Sequence, residues 1–485
     1  MNRNAITTAL ILTLSACGGS GGSSSSSNSS SNNTQSPAIT VSAVYIDACG
    51  NESGATDAAL IIHNSDYSNK QVIKADTAGK MSYSSNNATE TVSLVMRGEF
   101  QVDGIKPIAL TTYINQPVID MGKIIYRTSD KSACNCQQAN LTVNVPSRAS
   151  DIGNAEFDGQ VNQPSVSNYQ GFSTAYEVEQ CAKVGGEMPL ISSHIDFNSP
   201  NESFAALFPN INQKDSAEAV IQGSPVNIIS ADSTRQVAAF IDGDYHLRNF
   251  AFRESDSVYS YPIDQIEFYS LDAYNFEDLD YIPNVDSAYM LTAASTKTSN
   301  INQTFDLPRV SMDYTELLSI LVSDTGSYSL SNSSTFDYMT VSVTGSNPSG
   351  AILDWYMYAP TSGNVPKIEN IDLSEFISDS DLSARVENLS MGVGARGYDG
   401  ISSYDDFLRS KVDRKLQDFS QEKWANADLV SFRMRTSVIG MSSIASSITN
   451  SMLVNRADKS NVEFKTAKKS VPSLELIKQE LMSER

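Results

Sequence analysis

The sequence predicts a mainly β protein: tandem antiparallel β-sandwich modules, one covering helix and a partly disordered C-terminal tail. Three observations carry this expectation. Short stretches alternate between apolar and polar residues with a period of two. Turn residues separate these stretches at the spacing of an antiparallel sandwich. No sustained helical pattern lies between them, which argues against βαβ units.

Alternation begins at Ala38. Ile39, Val41, Ala43 and Tyr45 are expected on one side of a half-buried strand, with Thr40, Ser42 and Val44 on the other. Further strands are expected at 58–63, 71–75, 80–83, 89–96, 108–114 and 123–126, so residues 38–133 read as one β-sandwich. Asp76-Thr77-Ala78-Gly79-Lys80 turns the chain between two of these strands. With the strand end Val44-Tyr45-Ile46-Asp47, that turn resembles carboxypeptidase-regulatory-like (transthyretin-like) domains over residues 38–130. The resemblance implies a small sandwich module that serves as a spacer or binding unit and not as a catalyst.

The β-rich pattern continues past Cys136. Leu141, Val143 and Val145 alternate, as do Val237, Ala239 and Ile241 before Asp242-Gly243-Asp244. Val430, Phe432 and Met434 alternate against Ser431, Arg433 and Arg435. This length exceeds one ordinary sandwich, so 134–300 and 301–440 are expected as two further β-rich modules. One helix is expected at 403–419. Ser403 and Asp406 have capping-box spacing, and Tyr404, Phe407, Leu408, Val412, Leu416 and Phe419 share a face. The tail, 441–485, turns locally basic at Arg456, Lys459, Lys465, Lys468 and Lys469, and is expected to fold back on the acidic body.

The N-terminus bears on compartment. Arg3 precedes an apolar run from Ala5 to Leu14, and Leu14-Ser15-Ala16-Cys17 closes it. Such a run is shorter than the ~20 residues a spanning helix needs, but it suits a signal peptide. It resembles the lipobox of bacterial lipoproteins. That resemblance implies a signal peptide over 1–16 and lipidation of Cys17 with diacylglycerol and fatty acyl chains such as palmitate. Gly18 follows the cysteine in place of Asp, which implies an outer-membrane anchor in the cell envelope, periplasmic or surface-exposed. Residues 17–37, almost pure Gly, Ser and Asn after Cys17, make a flexible linker with a reach of about 25 Å.

Four cysteines remain: Cys49, Cys134, Cys136 and Cys181. An even number in an exported chain points to disulfides. Cys134 and Cys136 are one residue apart, and a bridge between them would close a strained ring. Each is therefore expected to pair outward, one with Cys49 and one with Cys181, with the assignment open. A four-thiolate zinc site is the alternative, but its usual two-residue spacer is missing.

Lys and Arg number 34 against 56 Asp and Glu, a formal charge of -22. Such an acidic surface excludes nucleic acid as a partner. Three histidines, His63, His194 and His246, lack metal-ligand spacing, and no phosphate loop, Gly-x-Ser-x-Gly elbow or dinucleotide fingerprint occurs. No catalytic residue is assigned and no cofactor is expected beyond calcium. Glu277, Asp278, Asp280 and Asp286 are the calcium candidates, followed by Asp379 with Asp381 and Asp242 with Asp244. The acids of 272–286 are expected in a solvent-facing loop, because Tyr274, Phe276, Leu279 and Tyr281 follow no single period and Pro283 interrupts.

Asp354-Trp355-Tyr356-Met357-Tyr358 reads as a strand with Trp355 and Met357 on one face and both tyrosines on the other. An exposed tyrosine face would stack on sugar rings. The function expected is therefore that of a non-enzymatic lipoprotein, tied to the membrane by its anchor, which binds a surface glycan or a protein partner. The alternatives are an exported carbohydrate-active hydrolase, which needs paired carboxylates, and a purely structural envelope component.

Overall fold

Each strand expected between residues 38 and 126 forms, and in the first of them burial follows the alternation that predicts it. The first, Ala38–Ile46, buries Ile39, Val41 and Ala43, while Thr40 and Ser42 stay half-exposed. The pattern slips at its end, where Val44 is buried and Tyr45 reaches outward to Asp57. The turn after Asn69–Lys74 is set by Asp76, whose Oδ1 accepts from the backbone of Ala78 and Lys80 at 2.8 and 2.9 Å. Gly79 has φ +76°, and a Cβ there would sit 2.0 Å from the Ala43 carbonyl oxygen, so only glycine fits.

The computed structural model describes residues 37–98, 106–144, 152–158, 165–170, 173–198, 201–208, 216–230, 234–241, 244–252, 256–279, 285–308, 312–321, 327–330, 335–365, 371–377, 386–412 and 426–437. The expected signal peptide and tail lie outside these residues, as do the linker up to residue 36 and Asp242, Asp280, Asp379 and Asp381.

The chain is mainly β. A twelve-stranded sheet is its backbone. From one edge the order is Asp244–Ala251, Thr234–Ile241, Phe268–Asp278, Ser287–Thr298, Asn426–Ser437, Asn388–Tyr398, Tyr338–Asn347, Gly350–Ala359, Ile108–Pro117, Thr89–Arg97, Ala59–His63 and Asn69–Lys74. Strands from all three expected modules therefore share one hydrogen-bonded ladder. The expected breaks at 133/134 and 300/301 do not interrupt it. Ile108–Pro117 joins Gly350–Ala359 as a parallel pair, Leu110 beside Trp355, whereas the other pairings of this sheet are antiparallel.

Smaller sheets cover this one and supply the sandwiches. Ala38–Ile46 pairs with Glu52–Gly54, Lys80–Ser84 and, in parallel, Asp120–Arg127. Ile39, Val41, Ala43 and Met81 from that sheet share a core with Leu60, Ile62, Val92 and Leu94 of the long one. A second sandwich packs Cys134–Asn144 and Ser173–Lys183 against Ile191–Asn198 and Asn201–Phe208 through Leu141, Val143, Val178, Ile195 and Phe208. The opposite face of the long sheet buries Met339, Val341, Trp355, Met357, Val393, Val430 and Phe432. Fully burying one such side chain contributes on the order of 2 kcal/mol.

Two helices occur among the described residues. Helix α1, Tyr314–Leu321, was not predicted; Asp313 caps it, its Oδ1 accepting from Thr315 N at 2.9 Å, and Leu317, Ile320 and Leu321 enter the main core. Helix α2, Tyr404–Val412, is the described part of the helix expected at 403–419. Ser403 Oγ accepts from Asp406 N at 3.2 Å, and Asp406 reaches back to Ser402 N, one residue earlier than a Glu-type capping box would. Tyr404, Phe407 and Leu408 are buried against the N-terminal sandwich, so the helix covers it as expected.

Both disulfides form. Cys49 is bonded to Cys134 and Cys136 to Cys181, which settles the open assignment. Cys136 and Cys181 face each other across the ladder between Cys134–Asn144 and Ser173–Lys183. Loops of these lengths contribute about 4 kcal/mol each by restricting the unfolded chain.

Two buried polar assemblies stiffen the joints. In the first, Trp355 Nε1 donates to Thr112 Oγ1 at 2.9 Å, Thr112 and Ser93 hydroxyls are 2.7 Å apart, Ser93 Oγ is 2.7 Å from His63 Nε2, and His63 Nδ1 is 2.9 Å from the Tyr67 carbonyl. This relay crosses four adjacent strands, including the parallel seam. In the second, Asp196 Oδ1 and Oδ2 accept from Asn249 Nδ2 at 3.0 and 2.9 Å, Ser203 bonds Asp196 and Tyr261, and Ser192 Oγ lies 3.1 Å from His246 Nδ1. His194 lies among them, fully buried, its Nε2 3.7 Å from Asp196 Oδ2, and neither of its ring nitrogens has a hydrogen-bond partner.

Candidate tyrosine-walled binding depression

Glu277 and Asp278 are successive residues at the exposed end of the strand Phe268–Asp278, so their side chains leave opposite faces. Asp286 is exposed just before the next strand, Ser287–Thr298, which pairs with Phe268–Asp278. Residues 272–278 of the expected loop are thus part of the strand Phe268–Asp278. Both faces of its first seven residues are buried, including Asp272, so no period-two pattern marks it in the sequence. Among the described residues, the metal-capable groups that do converge are Asp47, Cys49 and Cys134, and both cysteines are spent in disulfides.

The tyrosine face is where functional groups gather. Gly350–Ala359 sends Trp355 and Met357 into the main core, leaving Tyr356 and Tyr358 half-exposed on the other side. Register then decides their company. Thr340 pairs with Tyr358, Ser342 with Tyr356, Tyr338 with Arg396, Arg396 with Leu429, and Tyr358 with Tyr113. Tyr338, Thr340, Tyr356, Tyr358, Arg396 and Leu429 line a small, shallow, open depression.

The wall is made of contacting rings. Tyr113 stacks on Tyr358 with centroids 5.2 Å apart, and Tyr356 meets Tyr358 edge-on at 5.0 Å. Tyr338 stacks on Phe407 of α2 at 3.8 Å, and Tyr404 Oη donates to the Tyr358 carbonyl at 2.8 Å. Helix α2 thereby closes one side. Its Lys411 ammonium lies 3.6 Å from the Tyr358 ring centre and 5.1 Å from that of Tyr113, a cation–π arrangement.

Electrostatics at the site are those of buried phenols next to cations. Burial holds the Tyr338 phenol well above its ordinary pKa, against the opposing pull of Arg396. Burial raises the Tyr113 phenol also, with Lys411 opposing. Both therefore stay protonated donors at neutral pH. Just beyond the rim, burial with help from Asp406 and Asp399 pushes Asp337 up to about 6, although its Oδ2 accepts from Tyr398 N at 2.7 Å.

Sequence reasoning reached Tyr356 and Tyr358 from strand alternation. It missed Tyr338, Thr340, Arg396 and Leu429, because they arrive on other strands. No protein-family profile matches this chain, and no curated protein or solved structure is significantly similar to it.

Proposed function

We propose that this chain is an exported, lipid-anchored, non-enzymatic binding protein of the outer membrane, and that the tyrosine-walled depression takes a saccharide. The observation that carries the reading is the convergence of Tyr338, Tyr356 and Tyr358, from two neighbouring strands, on an open depression with Thr340 and Arg396. Sugar rings present one apolar C–H face, which stacks on aromatic rings, and a rim of hydroxyls, which phenols, Thr340 and a guanidinium bond. Glycoside hydrolysis instead needs two carboxyl groups about 5 to 10 Å apart. The residues lining the depression include none, which favours binding over hydrolysis.

The anchor rests on Leu14-Ser15-Ala16-Cys17 and the apolar run before it. Among the described residues no helix is long and apolar enough to cross a membrane. Two or more acyl chains on one cysteine suffice for stable attachment, since each buried methylene contributes ~0.8 kcal/mol.

A glycan array probed with the mature protein tests the binding reading. Saccharide binding that drops at least about tenfold in Tyr356→Ala, with an unchanged melting curve, is the expected result. An array without binding, or equal binding by Tyr356→Ala, overturns it. For the anchor, Cys17→Ser is expected to leave the detergent phase; partitioning like the wild type would refute lipidation.

A further inference from the structure

The face that carries the depression continues across the long sheet. Tyr356, Ser342, Gly392, Arg433 and Tyr289 stand directly opposite one another on five neighbouring strands, Gly350–Ala359, Tyr338–Asn347, Asn388–Tyr398, Asn426–Ser437 and Ser287–Thr298. Each is flanked along its own strand by residues of the main core: Trp355 and Met357 around Tyr356, Phe432 and Met434 around Arg433, Ala288 and Met290 around Tyr289. Alternation therefore places all five on the face away from that core, in one row that starts at the depression.

The row ends in an aromatic pair on each side and has no aromatic residue between. At one end Tyr356 meets Tyr358 edge-on at 5.0 Å. At the other Tyr289 stacks on Phe276 of the strand Phe268–Asp278, with centroids 4.7 Å apart and both rings half-exposed. The surface between them is low. A Cβ at Gly392 would sit 2.9 Å from Ser342 Oγ and 3.0 Å from Arg433 Cγ, so any larger residue would push both away from the sheet. Four strand steps of about 4.8 Å put the two aromatic pairs about 19 Å apart. One sugar ring cannot cover that distance, and neither can two. Several rings linked end to end can.

We infer that the saccharide taken by this face is a stretch of a chain polysaccharide, lying across the strands with one ring on Tyr356 and another, several units along, on Tyr289. The inference rests on the saccharide-binding reading above and adds the ligand class, a polymer of linked rings. Each aromatic pair offers a flat apolar face on which a ring's C–H groups stack. Ser342, half-exposed midway, carries a hydroxyl that can donate to or accept from the sugar hydroxyls above it. Once the first platform is engaged, the linked rings hold the rest of the chain close to the second, which raises its effective concentration there. A short sugar reaches one platform only. Affinity should therefore climb with chain length until the chain spans the row, and then level off.

The test is titration calorimetry on the mature protein with three paired probes: cellobiose and cellohexaose, maltose and maltohexaose, chitobiose and chitohexaose. In a series that binds, the hexamer is expected to bind at least about thirtyfold tighter than the dimer, more than the extra registers of a longer chain supply. Tyr289→Ala is expected to remove most of that gain, whereas Tyr289→Phe, which keeps the ring, retains it. Ser342→Leu raises the floor midway and should remove the gain as well. It leaves the Tyr289–Phe276 pair in place, which guards against a folding effect of Tyr289→Ala. Dimer and hexamer binding equally would overturn the inference and leave the saccharide reading intact. So would a gain that survives both Tyr289→Ala and Ser342→Leu. Failure of all six probes to bind would overturn both.

Discussion

His63 and His194 are both buried in the body of the protein, and their surroundings differ in every respect that governs a polar group. His63 sits in a closed relay. The Tyr67 carbonyl can only accept and the Trp355 indole can only donate, so the order of donation is set: Trp355 to Thr112, Thr112 to Ser93, Ser93 to His63 Nε2, and His63 Nδ1–H to Tyr67. Each hydroxyl has one partner on either side. His194 has no such partner at either nitrogen, only Asp196 at 3.7 Å. The first histidine is a structural joint between the N-terminal sandwich and the Gly350–Ala359 strand. The second occupies space among groups that satisfy one another without it. A buried polar residue therefore stabilises through the completeness of its network, and burial alone says nothing about its value.

The largest expected effect is on pH dependence. Burial lowers His63 to about 4 from 6.5. Between those values the unfolded chain binds the proton first, so stability is full above pH 6.5 and is lost as pH falls toward 4, by about 3 kcal/mol. Protonation would also force Nε2 to donate, leaving the Thr112 or Ser93 proton without an acceptor. His63→Gln should flatten this loss in urea titrations run from pH 7 to pH 4. Asp337 acts with the opposite sign. Its carboxyl is raised to about 6, so the folded state takes the proton first and stability rises as pH falls through 6 toward 3.8. Asp337→Asn should therefore steepen the acid loss, modestly, because the group is half-exposed.

Next in size is Ser93→Ala, which orphans His63 Nε2 and the Thr112 hydroxyl at once; it should cost about 2 kcal/mol in chemical denaturation. The smallest effect is expected for His194→Leu, within about 1 kcal/mol of the wild type in either direction, since it removes an imidazole with no hydrogen bonds to lose. If His194→Leu proved as costly as Ser93→Ala, the contrast between the two histidines would collapse.

Local rules made half of this molecule legible. Ala38–Ile46 is buried mainly on one face, and alternation marks such a strand, whereas Ala59–His63 is buried on both and was legible as a short apolar run between turn residues. Phe268–Asp278 is buried on both faces at its start and lost that mark. Helix α1 spans only Tyr314–Leu321, too short for a periodic pattern to rise above its flanks. The cysteine spacing limited the disulfides to two arrangements, and only the fold chose between them. Assembly of the long sheet was illegible for a different reason. Pairing Leu110 with Trp355 joins residues far apart in the chain, and nothing in either segment encodes its neighbour. The depression inherits that limit, because Tyr338, Tyr358 and Arg396 become neighbours only through register.

The Cys49–Cys134 bond would acquire a mechanical meaning if the proposed anchor holds the protein by one end. Pull applied through Pro37 enters Ala38–Ile46, which is gripped along its length by Lys80–Ser84 and Asp120–Arg127. If that strand yields, tension reaches Cys49 and crosses directly to Cys134, skipping the 85 intervening positions. Two residues later Cys136 hands it to Cys181, skipping 45 more. The first bypass alone withholds about 300 Å of contour length that unravelling would otherwise release. If the proposed anchor and a bound ligand pulled on the chain from its two ends, the N-terminal sandwich would thus be bypassed by sulfur, and most of its length would stay unreleased even if its strands parted.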